Sequence, residues 1–142
     1  MKADAGKATE AIVQFWLKMR SDADASFAFH RFPDSRAARG VIPAQPSDLL
    51  VVSKKVATFL EAKETAELRR LPRAKVSQWG SLRKWDWAGA DVVVIVYRSE
   101  FDDWLIFRNK DLFPDGDTPA SFAFAGKHTY PTAADALQEL FP

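Results

Sequence analysis

The sequence predicts an α/β domain in which helices flank a mixed β-sheet. Three features lead there. Residues 6–21 repeat apolar side chains at helical spacing. Residues 91–98, DVVVIVYR, form the unbroken β-branched run of a strand buried on both faces and central in its sheet. Between them, residues 45–65 read as two short strands joined at Ser53-Lys54-Lys55. The chain has 142 residues, enough for one domain spanning 1–142 with a true core. Its apolar share of 47% fits a globular protein.

In chain order, GKATEAIVQFWLKMRS (6–21) is an amphipathic helix, and Ala8, Ile12, Phe15, Trp16 and Met19 are expected to face the core. Residues 21–26 are polar and form a turn. SFAFHRF (26–32) is aromatic-rich and reads as a strand. Residues 33–46, with two further prolines and Gly40, make a long loop of the kind that often carries function. Beyond Thr65, Pro72 stops any helix begun at 66–71. A second helix is expected from about Arg73 to Trp85, weakened by Gly80. Residues 103–108 are a further strand, 114–117 a turn, and 121–124 a short strand. Thr132 caps a last helix over 133–141 through its hydroxyl.

Composition narrows the chemistry. With no cysteine, disulfides and thiolate metal sites are excluded. His30 and His128 lack zinc-ligand spacing and are read as core or surface residues. No serine elbow and no phosphate-cradling Gly-rich loop is present. No apolar run is long enough to span a membrane and no signal peptide is visible, so a cytoplasmic protein is expected. The net charge of +1 hides an asymmetry. Residues 54–84 hold nine basic and three acidic side chains, whereas 85–142 hold four basic and ten acidic ones. A basic block of this kind, with Lys54, Lys55, Arg69, Arg70, Arg73 and Lys75, suits a phosphate backbone; alone it would equally be a solvated face. Arg31, Arg36 and Arg39, in and before the long loop, are candidates to reach DNA as well, the plainer alternative being a mobile surface loop. Trp79, Trp85 and Trp87 are core residues or stacking surfaces for exposed bases.

The chemistry concentrates in QPSDLLVVSKKVATFLEAKET (45–65). Asp48 opens the first strand and Glu61-Ala62-Lys63 closes the second. Side chains alternate along a strand, so Glu61 and Lys63 share a face while Leu60 and Ala62 take the other. If the strands pair, Asp48 lies beside Glu61. Two carboxylates with a phosphate suit a hard cation such as Mg²⁺, and a lysine alongside steadies charge in a transition state. The plainer alternative is an edge hairpin with surface charges.

Asp48 followed by Glu61-x-Lys63 resembles the PD-(D/E)XK nuclease signature, with Pro46-Ser47-Asp48 in place of a literal Pro-Asp. Pro33-Asp34 is a literal Pro-Asp but precedes a basic loop rather than a strand. The wider run QPSD…FLEAKET…Q…L resembles Holliday junction resolvases of the RecU kind over residues 6–107. This resemblance implies a restriction-endonuclease-like fold and a Mg²⁺-dependent endonuclease, with Mn²⁺ able to substitute. It implies metal held by Asp48, Glu61 and Glu10, the last matching a Gly-x-x-x-Glu pattern from Gly6. Lys63 would act as base or electrostatic stabiliser. Gln78, in a Gln-x-x-x-Leu element with Leu82, would sit near the active centre. It further implies a homodimer acting on four-way DNA junctions in a bacterial or phage-infected cell. Other readings are another nuclease of the superfamily (nicking, repair or restriction) and a catalytically silent DNA-binding module.

Overall fold

A computed structural model describes residues 2–33, 45–76, 79–117 and 119–142. Helix α1 (Lys2–Ala23) leads into β1 (Phe27–Arg31), then β2 (Leu49–Ser53) and β3 (Val56–Thr65). A short β4 (Arg70–Pro72) and a single 3-10 turn (Arg73–Lys75) precede α2 (Trp79–Trp87). Strands β5 (Asp91–Arg98) and β6 (Asp103–Arg108) follow. The chain ends with α3 (Asn109–Leu112), a second 3-10 turn (Pro114–Gly116), β7 (Ser121–Ala123) and α4 (Ala133–Leu140). The main sheet runs β1-β2-β3-β5-β6, with β3 and β5 parallel and every other pair antiparallel. A small second sheet pairs β4 with β7. The architecture is the expected one, a mixed sheet flanked by helices.

Strand alternation sorts the core into two layers. Leu49, Val51, Leu60, Ala62, Val93 and Ile95 point toward α1 and α4. Phe59, Val92, Val94, Val96, Leu105 and Phe107 point toward α2 and the small sheet, where Leu71, Val76, Leu82 and Phe122 meet them. The run at 91–98 is interior, as its lack of alternation predicts, with β3 in the middle of the sheet. Thr132 caps α4 as expected, its Oγ1 accepting from the Asp135 N–H at 3.1 Å. Among the described residues no helix is long and apolar enough to cross a membrane.

Three expectations need correction. Helix α1 buries Thr9, Val13 and Leu17 and half-buries Trp16, while Ala8, Ile12, Phe15 and Met19 stand exposed. Two apolar stripes compete on this helix, and period alone cannot rank them. The buried stripe is set by what it meets: Trp16 against Phe27 and Phe141, and the Thr9 hydroxyl donating to Glu64 at 3.0 Å. The second helix starts at Trp79, not Arg73. Residues 73–75 form a single 3-10 turn instead, continuing directly from β4, whose Arg70 lies opposite Ala123, and the Arg73 N–H donates to the Ala120 carbonyl at 2.9 Å. Helix α3 was not anticipated. Asn109, its first residue, accepts from the Val92 N–H at 2.9 Å and donates to Asp86 and the Ala90 carbonyl, which ties the end of α2 to β5.

The corrected face of α1 has a measurable consequence. Leu17→Ala should cost about 2–5 kcal/mol of unfolding free energy through the cavity it leaves. Phe15→Ser should change stability by about 0.5 kcal/mol or less. Urea unfolding of both variants checks this, and the reverse ranking would mean that the other stripe is the buried one.

Candidate active site

The register of β2 on β3 builds the site. Leu49 pairs with Leu60, so the residue before β2 meets the residue after Leu60. That contact is made by two hydrogen bonds. The Asp48 N–H donates to Glu61 Oε2 at 3.2 Å, and the Ala62 N–H donates to Asp48 Oδ2 at 3.0 Å. Ser47, buried, holds the approach by donating from its hydroxyl to the Leu49 carbonyl at 2.7 Å. Asp48 and Glu61 therefore lie side by side on the face of the sheet that looks toward α2.

Glu61 is fully buried in the middle strand. Its Oε1 finds no hydrogen-bond donor of good geometry among the described residues. The Lys63 ammonium stands 3.2 Å from that oxygen and keeps a partly exposed side chain, one turn of the pleat further along the same face. Burial pushes the Glu61 carboxyl from its ordinary 4.5 up to about 7; the Asp48 charge adds to this and Lys63 opposes it. Burial also raises Asp48, against the Ala62 N–H and Lys63, which lower it. A buried carboxylate paired with one lysine, beside a second carboxylate, is a donor set that suits a hard divalent cation.

The other candidates fall into groups. Glu10 reaches the neighbourhood, and its charge raises Asp48, but it is held by the Arg31 guanidinium at 3.0 Å and the Gln14 amide at 3.1 Å. Among the described residues no three or more His, Asp or Glu side chains converge as a metal cluster. Arg31 thus serves Glu10 in this structure. Lys54 and Lys55 are exposed at the tip of the β2–β3 hairpin. Arg69, Arg70, Arg73 and Lys75 lie in the layer on the Glu61 side of the sheet, flanking the buried Leu71 and Val76. Arg70 donates to the Ser121 hydroxyl at 2.6 Å, and Arg73 packs over Trp79 at 5.9 Å. Arg36, Arg39 and Gln78 lie outside the described residues. Trp79 is core, packed between Phe113 and Phe122. Sequence reasoning missed Ser47 and the Arg31–Glu10 pair. Nothing local marks Ser47, and the ion pair joins residues 21 apart through tertiary packing.

No protein-family model and no curated protein sequence matches the chain. A solved structure does: Hjc of Archaeoglobus fulgidus, a Holliday junction resolvase from an archaeal hyperthermophile. The two folds are the same. The TM-score is 0.51 at 18% identity, over 90% of this chain and 92% of Hjc. Similarity to Hjc at this identity is a likeness of fold, so the chemistry is argued from the residues.

The raised Glu61 carboxyl links stability to pH. Between 4.5 and about 7 the folded chain holds a proton that the unfolded chain releases, so stability falls as pH rises through that window. Without divalent cation, melting temperature should drop between pH 5 and pH 8, and Glu61→Gln should flatten the drop and raise the value at pH 8 by on the order of 5 °C. Parallel profiles for the two proteins would show that Glu61 does not titrate in this range.

Proposed function

We propose that the chain is a metal-dependent endonuclease that hydrolyses phosphodiester bonds in branched DNA, with the Holliday junction as its substrate. The observation that carries this reading is the pairing of buried Glu61 with Asp48 beside Lys63, on a fold that a junction resolvase also adopts. The arrangement matches the PD-(D/E)XK pattern, of which RecU-type resolvases are one branch.

Asp48 and Glu61 are the residues that would hold Mg²⁺, or Mn²⁺ in its place. Bound there, such an ion would supply Lewis acidity toward a phosphoryl oxygen and lower the pKa of bound water. Glu61 does its part as the carboxylate, so the proton retained up to about pH 7 must leave first. Lys63, partly exposed while Glu61 is buried, faces outward toward the substrate. From there its ammonium stabilises charge building on the pentacovalent phosphate, or its amine takes a proton from the attacking water. Glu10, held by Arg31 and near enough for its charge to act on Asp48, is the third carboxylate of this reading. Cutting two strands of a junction symmetrically takes two sites, so the working form is a homodimer.

Asp48→Asn and Glu61→Gln should each lower single-turnover cleavage of a four-way junction by roughly a thousandfold while DNA affinity holds or rises. Lys63→Ala should lose nearly all activity and Lys63→Arg most of it, since a guanidinium is neither compact nor able to lose its proton at working pH. Junction, linear duplex and nicked duplex tested side by side with Mg²⁺ also separate the resolvase from other nucleases and from a silent binder. Near-normal turnover in either carboxylate variant would remove the assignment.

The hairpin tip gives a second test. Lys54 and Lys55 are the two residues of a tight turn, with φ of 51° and 70°. Asn-Gly is the sequence such a turn prefers, so two lysines sit there at a cost in backbone strain. A phosphate contact explains their presence. Lys54→Asn with Lys55→Gly should raise the melting temperature and flatten the salt dependence of duplex binding by about two units of slope. A stabilised protein with an unchanged slope would place the hairpin tip away from DNA.

A further inference from the structure

Strand alternation puts Phe59 on the same face as Glu61 and Lys63, two residues earlier in β3 and so about 7 Å away. Phe59 itself is buried. What buries it is Trp85 of α2, whose ring lies over it with centroids 4.7 Å apart and planes tilted by 31°. Trp85 is nevertheless 39% exposed. The indole is thus stacked on Phe59 and still presents surface to solvent, beside the strand that carries Glu61 and Lys63. Trp79 on the same helix shows the contrast, being packed on two aromatic neighbours.

The surroundings extend this ledge. On the same face, beyond Phe59, β2 and β1 carry Val52 and His30, both exposed. At the near end of β3, the exposed Lys54 and Lys55 supply positive charge. Asp91, the closest acid in register with this end of β3, is turned to the opposite face, accepting from the Thr58 hydroxyl at 2.6 Å. Trp85 cannot drift, because Asp86 next to it and Ala90 beyond are tied to Asn109 at 2.7 and 3.0 Å. Cations, an apolar shelf and a carboxylate pair thus follow one another along a single strand over about 20 Å, the reach of a few unstacked nucleotides.

We propose that Trp85, backed by Phe59, is a nucleobase-stacking ledge that receives an unpaired base beside the scissile phosphate. The proposal rests on the nuclease reading above and adds to it the source of preference for branched over paired DNA. In a duplex every base is already stacked and gains nothing from the ring. At a branch point, or in a single strand, a splayed base has a free face, and stacking on an aromatic side chain then favours that DNA.

Trp85→Leu keeps an apolar side chain over Phe59 and removes the flat ring, while Trp85→Phe keeps a ring. Binding is measured without divalent cation to oligo-dT, to a four-way junction and to a linear duplex, with melting temperature as the check on folding. A junction carrying 2-aminopurine beside the cut site reports stacking directly. The expected result is a loss of about tenfold for oligo-dT and junction with Trp85→Leu, little change for duplex, recovery by Trp85→Phe, and 2-aminopurine quenching lost only with leucine. Equal loss on all three DNAs, or no loss on any, overturns the ledge. If wild-type protein cleaves junctions and Trp85→Leu matches it throughout, the ledge alone falls. If wild-type protein neither binds nor cleaves DNA, the nuclease reading falls and the ledge with it.

Discussion

Leu49 opposite Leu60 is the pairing on which the site depends. It sets Asp48 against Glu61 and sends both toward α2, while Leu60 and Ala62 go to the core beneath α1. A slip of one residue would exchange the faces, burying Lys63 against α1 and turning leucines outward. The apolar alternation on both strands forbids that slip, and the two-residue turn at Lys54-Lys55 leaves no slack to absorb it. The chemistry thus inherits its geometry from the packing of leucines and valines that do no chemistry themselves.

The same packing creates the electrostatic tension at Glu61. A carboxylate in the middle strand of a five-stranded sheet loses its water, and here it recovers only the Asp48 N–H and a lysine. Desolvation of this size is unfavourable unless something compensates it. A proton does so at low pH. Stability is therefore held back at one side chain, which is the common pattern for sites whose ligand completes them.

The layer facing α2 differs from the layer facing α1 in what it leaves open. Beneath α1 and α4 the sheet is closed by Val13, Leu17, Ala136 and Leu137, with Arg20 donating to the Phe141 carbonyl at 2.7 Å. On the other side α2 covers β5 and part of β3, leaving Val52 and His30 uncovered and Trp85 half-open. The basic segment around β4 borders this same side. Both faces of the sheet carry core, and only the one toward α2 also leaves part of the β1–β2 end uncovered.

Much of this could be read before any coordinates. The strand at 91–98, the hairpin at 49–65, the Thr132 cap and the Asp48–Glu61–Lys63 grouping follow from local rules: unbroken β-branching, two-residue alternation and hydroxyl capping act within a few residues. Other features depend on what lies far off in the chain. Helix α1 has two apolar stripes, and only Phe27, Phe141 and Glu64 select between them. Residues 70–72 form a strand because 121–123, far along the chain, pair with them. The Arg31–Glu10 pair, the burial of Glu61 against Asp48 and the contact of Trp85 with Phe59 join residues from separate elements. Local preference by itself determined which residues could form the site. Long-range packing alone decided how dry each one is and what stands against it, because burial belongs to the assembled chain and not to any segment of it.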